Sequence, residues 1–326
     1  MGKKFTIGVL IGNVHTAHPK DLMRGIRAAA SGMDVNVIYF LGTQSVRFNQ
    51  KFALEDFDYQ YNTVYDYAKL AKVDVLIIAY GSLCIFQKNE DKQAFLDKFA
   101  GIPYVLLEDA TDDPRGIYVM VDNFGGMQKC VEHLIIEHHL KHLVYLGGPE
   151  DNQDAIERKA AFLNVMAEHH LPVTPEMMAV GDYSEFVDNL VEQLLKDNPD
   201  AEAIISANDE MTVACYRVCK AHGLRIGKDI LITGFDDVER ARYSNPPLTT
   251  VSQDAYKMGQ IAVEKAVDIC AGRPVESVRL DAELIIRESC GCKVTRRAKE
   301  KADEKTELLH IIDAVSYTHL RAHETE

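Results

Sequence analysis

The sequence predicts an α/β protein built as two doubly wound lobes, each around a parallel sheet. Strand-like runs alternate with helical patterns almost throughout, the βαβα rhythm that calls for parallel strands joined by crossover helices. Residues 73–80, VDVLIIAY, are almost unbroken apolar sequence, as expected for a strand covered on both faces. The 326 residues are too many for one small core and suit two.

Each element has its own signal. Residues 5–12 alternate and are β-rich, giving the first strand. In 21–31, Leu22, Ile26 and Ala29/Ala30 share one face at helical spacing. A strand is expected over 35–42, a helix over 62–71, the apolar strand over 73–80, a helix over 90–100 and a strand over 103–107. After residues 118–121 the cycle restarts. Helices at 125–138, 154–169, 185–197 and 209–221 alternate with strands at 142–146, 177–180, 203–206 and 229–234. The pair Pro246-Pro247 then leads into a further apolar strand.

Composition narrows the function. Apolar residues make up 47% and charged residues 26%, ordinary globular values. A net charge of −14 argues against a general nucleic-acid surface, which needs a basic footprint, and against docking on anionic lipid. No apolar stretch approaches the roughly 18–20 residues of a membrane span. The basic start and short apolar run at the N-terminus lack a small-residue cleavage site and read as a first strand. A cytoplasmic protein is expected. The seven cysteines are an odd number in mostly apolar runs and read as reduced core thiols.

The rhythm places the polar residues. Ligands of open α/β sheets bind at the carboxyl ends of the strands. Those ends here carry Asn13, Gly81-Ser82, Glu108-Asp109, Gly147-Gly148, Asp182-Tyr183, Asn208-Asp209 and Asp236-Asp237. Asp236, Asn208, Glu108 and Arg158 would form a set suited to vicinal hydroxyls. A carboxylate accepts from two neighbouring hydroxyls, Asn donates and accepts, and Arg donates as a planar fork. Asn208 and Asp209 suit a helix N-cap equally well, as do Asp236-Asp237 ahead of a short helix at 238–243. For Arg158, pattern alone favours a solvated helix face.

Catalytic and metal chemistry find no motif. His133, His138, His139 and His142 cluster in sequence, yet no HExxH occurs and no carboxylate completes a zinc set. They read as helix-surface histidines. Ser82 lies in AYGSL, not G-x-S-x-G. Gly147-Gly148-Pro149 lacks the Lys-Ser/Thr of a P-loop. The chain is read as a non-enzyme without cofactor or metal.

One ordered set of motifs carries a family resemblance. It comprises Val121-Asp122-Asn123 with Gly126; Leu146-Gly147-Gly148-Pro149 followed by Arg158 and Phe162; Asn208-Asp209; Gly234-Phe235-Asp236-Asp237; Pro246-Pro247-Leu248-Thr249-Thr250-Val251; and Arg287-Glu288-Ser289-Cys290. Across roughly residues 5–290 the chain resembles the effector-binding core of the lactose/galactose-repressor (LacI/GalR) family, a type I periplasmic binding protein-like fold. The resemblance implies ligand contacts from Arg158, Asn208, Asp236 and, less directly, Glu108. Ala161 replaces the usual glycine of the arginine's motif. Geometry adds Asn13, His15, Tyr80 and Tyr183 to the cleft.

The resemblance also implies a hinge of three crossings, at Asp122 and Asn123, Val251 and Gln253, and Leu280 and Ala282. One lobe would then comprise residues 1–122 plus 252–281, the other 123–251 plus 282–292. The implied partner is a small effector, a sugar or nucleoside. The family often dimerises, so a homodimer is among the expected states.

The family's DNA-binding helix-turn-helix precedes the first strand, where this sequence has only Gly2-Lys3-Lys4. Residues 293–314 read as a charged linker helix, and 315–326 match the in-frame translation of a transposase sequencing adapter through Thr325. The expected function is a sensor that closes on its ligand and relays closure to an output domain. Alternatives are a transcription regulator whose DNA-binding part lies outside this sequence, and a diguanylate cyclase whose catalytic module does; similar sensor domains ending in Ser-Cys-Gly-Cys precede such cyclases.

Overall fold

A computed structural model of the chain describes residues 4–43, 62–84 and 89–293. The linker expected at 293–314, beyond its first residue, and the adapter-like tail lie outside them. In chain order the first elements are β1 Phe5–Gly12, α1 Ala17–Ser31, β2 Val35–Gly42, a 3-10 turn Thr63–Asp66, α2 Tyr67–Leu70, β3 Val75–Ile78 and α3 Tyr80–Leu83. Next come α4 Asn89–Asp97, β4 Tyr104–Leu107, β5 Gly116–Val121, α5 Asn123–Ile136, β6 Leu143–Gly147 and α6 Gln153–Glu168. A 3-10 turn Pro175–Met177 leads to β7 Met178–Val180, α7 Asp188–Asp197, β8 Ala203–Ser206, α8 Asp209–Ala221 and β9 Leu231–Thr233. The chain continues through α9 Glu239–Tyr243, β10 Thr250–Ser252, α10 Ala255–Cys270, β11 Val278–Leu280 and β12 Glu283–Ile285.

The strands form two parallel sheets, ordered β11-β5-β4-β3-β1-β2 and β7-β6-β8-β9. In the first sheet, alternate residues of one strand serve opposite faces. Val75 and Ile77 join the core under α1 and α10, whereas Leu76 and Ile78 join the core containing Phe95 and Phe99. That two-sided burial explains the unbroken apolar run. Helices α1 and α10 cross closely: a Cβ on Gly25 would sit 1.9 Å from the Tyr256 carbonyl oxygen. The second sheet has one large core around Tyr145, Phe162, Ile204 and Phe235.

Local chemistry shifted several expected boundaries. The strand expected to reach Tyr80 ends at Ile78, and α3 begins at Tyr80. Helix α5 starts at Asn123 because Asp122 caps it, accepting the Gly125 N–H at 3.0 Å. Helix α7 starts at Asp188 rather than 185. Asp182 instead takes the Ser184 backbone N–H at 3.0 Å and its hydroxyl at 2.7 Å, a local turn that competes with helix. The cap expected from Asp236-Asp237 is not made, since α9 begins after Val238 with no side-chain cap. Asp237 instead pairs with Arg287 at 2.6 Å.

The three expected crossings meet. The Asp122 N–H donates to the Leu280 carbonyl and the Asp236 N–H to the Val251 carbonyl, both at 2.7 Å. Strands β10 and β12 pair antiparallel beside them. Lys129 Nζ reaches the Asp281 carboxylate at 2.7 Å and the Ala282 carbonyl at 2.9 Å. Gly126 of α5 lies against this junction: a Cβ there would stand 2.7 Å from Ala282 Cβ and 2.9 Å from Val251 Cγ1.

Candidate ligand-binding site

Arg158 is the centre of the site. Although it lies in the middle of α6, it is only 2% exposed, which corrects the solvated-face reading. Nε donates to Asn123 Oδ1 at 2.8 Å and Nη1 to the Ala207 carbonyl at 2.7 Å. The guanidinium lies over the Phe235 ring, 3.8 Å from its centroid, a cation–π seat. Nη1 stands 3.6 Å from Asp236 Oδ1 and Nη2 3.5 Å from Asp154 Oδ2. Nη2 makes no hydrogen bond although it is buried.

The carboxylates around it are held from several directions. Gln253, directly after β10, donates to Asp236 Oδ1. Asn123 Nδ2 donates to Asp154 Oδ1 at 2.8 Å. Burial raises Asp154 to about 7 against the pull of Arg158. Burial also raises Asp236, while Arg158 and His18 pull it back.

The first sheet contributes a second group. Glu108 Oε1 meets His18 Nε2 at 2.5 Å, and Oε2 accepts the Ser82 backbone N–H at 2.7 Å and its hydroxyl at 2.5 Å. Burial opposes a charged His18. The Glu108 carboxylate, helped by Asp236 and Asp154, outweighs it and raises His18 to about 9. Burial likewise opposes charge on Glu108, and His18 and Ser82 hold it below the ordinary carboxylate range. His18 therefore feels acids from both sheets.

Four nominated residues share a backbone signature. Asn13, Glu108, Tyr183 and Asp236 have φ of 52°, 69°, 64° and 120°. Non-glycine residues rarely occupy this left-handed region, and such positions cluster at functional sites. Each lies just past a strand or at its carboxyl end, as the crevice rule requires.

Asn208 both caps and links. Its Oδ1 accepts the Met211 N–H at 3.0 Å, and its Nδ2 donates to the Tyr183 carbonyl at 3.1 Å. The Tyr183 hydroxyl donates to Asn152 Oδ1 at 3.3 Å. Neighbouring Asp209 is buried and takes the Val238 N–H at 3.0 Å and the Thr250 hydroxyl at 2.6 Å, tying α8 to β10.

Comparison with known proteins agrees with this architecture. A family model described as a periplasmic binding protein-like domain matches residues 131–290. The HTH-type transcriptional regulator CelR of Thermobifida fusca is 30% identical over 216 residues, 64% of this chain and 62% of the relative. A LacI-family regulatory protein from Chloroflexus aggregans superposes with a TM-score of 0.70 at 25% identity, covering 87% of this chain and 98% of its own. Residues 131–290 match a periplasmic binding protein-like domain, and the chain is similar there and beyond to regulators of the LacI family. The lac repressor dimer bound to operator superposes with a TM-score of 0.73 at 23% identity, covering 89% of this chain and 82% of that one, a likeness of fold. The chain spans about three fifths of the length of the curated relatives it matches first.

Two of the expected site residues fall elsewhere. His15 is exposed, and the imidazole that reaches the acids is that of His18, the second residue of α1. Tyr80 is buried against Phe95, with ring centroids 6.4 Å apart, in the core on one face of the first sheet rather than among the acids. Sequence reasoning also missed Asp154. As a first-turn acid on α6 it reads as a helix-end charge, and only burial beside Arg158 distinguishes it. Among the described residues no helix is long and apolar enough to cross a membrane.

Proposed function

We propose that the space between the two sheets binds a small polyhydroxylated molecule, a sugar or nucleoside. We further propose that the lobes 1–122 plus 252–281 and 123–251 plus 282–292 close on it about the three crossings. The observation that carries this reading is the buried Arg158 Nη2, a charged donor without a hydrogen bond beside Asp154, on a guanidinium whose Nη1 faces Asp236. A buried unsatisfied donor is costly, and a ligand hydroxyl bridging it to a carboxylate would relieve that cost. Glu108, His18, Asn208 and Tyr183 would complete the polar lining, and Asn13 would border it. Closure follows from the ligand's better contacts in the closed state.

The test is titration calorimetry of the full chain against monosaccharides, disaccharides and nucleosides, with thermal unfolding alongside. At least one should bind with saturable heat and raise the melting temperature. Arg158→Ala and Asp236→Ala should abolish both effects while the far-ultraviolet spectrum stays native. Unchanged ligand stabilisation in both variants would overturn the assignment.

A second reading concerns the output. Curated relatives of the chain are named as HTH-type transcriptional regulators or repressors, which favours a transcription regulator whose DNA-binding part lies outside this sequence. Relay through 293–314 is the corresponding proposal for the first reading.

A further inference from the structure

The structure assembles a second cluster of chemistry well away from Arg158. Helix α5 ends at Ile136, and a tight reversal through His139, at φ 57°, carries the Leu140 N–H back to the Leu134 carbonyl at 3.3 Å. This ending leaves His133 and His138 adjacent, ring centroids 5.0 Å apart and nearly perpendicular. Against them lies Cys290-Gly291-Cys292. Gly291 turns at φ 85° and its N–H donates to the Glu288 carbonyl at 3.0 Å. One ligating atom from each of His133, His138, Cys290 and Cys292 lies within 4.8 Å of the others.

We propose that these four side chains form a tetrahedral Cys2His2 site for a d10 divalent cation, zinc. Zinc–sulfur bonds of about 2.3 Å and zinc–nitrogen bonds of about 2.05 Å at tetrahedral angles separate S from N by about 3.6 Å. Cys292 Sγ stands 3.6 Å from His133 Nε2 and 3.4 Å from His138 Nε2, already at that separation. Two neutral imidazoles and two thiolates suit the ion's taste for N and S donors. Two thiolate charges also balance the cation, so a partly buried site carries no net charge. On binding, each thiol gives its proton to solvent and each sulfur forms one bond to the metal.

A surrounding hydrogen bond supports the set. The Thr249 hydroxyl accepts the Arg287 N–H at 2.9 Å and reaches Cys290 Sγ at 3.0 Å. Its own proton is thus directed at the sulfur, as a donor to a bound thiolate should be. Cys290 lies 3.4 Å from the Arg287 carbonyl as a thiol donor, a contact that deprotonation would remove. The histidines alone read as surface residues. The fold supplies the missing half of the site from more than 150 positions away.

The test is cobalt substitution of the full chain, purified with chelator and kept under a phosphine reductant. One equivalent of Co2+ should give the intense visible bands of a tetrahedral site and a thiolate charge-transfer band, and one equivalent of Zn2+ should bleach both. Cys292→Ser and His138→Ala, both at partly exposed positions, should keep native circular dichroism, bind at least tenfold more weakly and alter the spectrum. Weak octahedral bands in the parent chain, or parent-like spectra and affinity in both folded variants, would overturn the site. Failure here leaves the sugar or nucleoside titration unaffected, since the clusters share no residue.

Discussion

The Phe235 ring forms the floor beneath the Arg158 guanidinium, 3.8 Å from charge centre to ring centroid, and the next residue is the Asp236 that faces the same cation. Three demands meet on one side chain: a flat π face, paired carboxylates and a carbonyl acceptor. A planar fork meets them all and an ammonium does not. Arg158→Ala should cost about 3–5 kcal/mol of stability, because Asp154 and Asp236 would remain buried without their partner. Arg158→Lys should retain part of that stability yet lose ligand binding. Urea unfolding and calorimetry on the same preparations separate the two effects.

The His18–Glu108 pair predicts a pH window. His18 titrates near 9 in the folded chain against an ordinary value of 6.5. Its stabilising contribution is therefore complete below pH 6.5 and disappears as pH rises through about 9. Glu108 shifts downward, so its contribution is present above the ordinary carboxylate range and is lost as pH falls through its lowered value. His18→Gln should flatten the decline in melting temperature between pH 6.5 and 9. A slope equal to the parent's would show that the pair does not govern that range.

Asp154 shifts the other way, from 3.8 to about 7, chiefly through burial. Between those values the folded chain holds more protons on this group than the unfolded chain, so Asp154 lowers stability as pH rises from 4 to 7. Asp154→Asn removes the titration and keeps an acceptor for Asn123. The variant should lose less stability than the parent over that interval, measured by denaturant midpoints at fixed ionic strength.

Gly126→Ala tests the crossing junction. Its Cβ would meet Ala282, Val251 and Phe235 at 2.7, 2.9 and 3.2 Å, contacts from two of the crossing segments and from the residue under Arg158. Overpacking of this kind costs about 1–3 kcal/mol. The expected result is that destabilisation, together with a weakened thermal response to ligand. A neutral effect on both would mean that the junction can separate freely.

Much of this was legible in sequence, for identifiable reasons. Alternating strand and helix periods survive in any buried α/β sheet, and they placed nearly every element within a few residues. The rule that open α/β sheets bind ligands at strand ends marked Glu108, Asn208 and Asp236 as candidates from their positions alone. The faces of helices could not. His18 precedes the helix expected from residue 21 and belongs to no motif, and its partner Glu108 stands 90 positions later. Tyr80 closes an apolar run, and only coordinates show that it turns toward Phe95. The His133–Cys292 contact spans 159 positions, beyond any spacing rule for metal ligands.

Helix α5 has mechanical consequences. Fourteen residues make a stiff rod about 21 Å long, hydrogen-bonded at one end to Arg158 through Asn123 and touching Cys292 at the other through His133. A tilt of about 5° about its midpoint displaces each tip by about 1 Å. A shift of the guanidinium on engaging a ligand would therefore be felt, as a lever's far arm is, at Cys292.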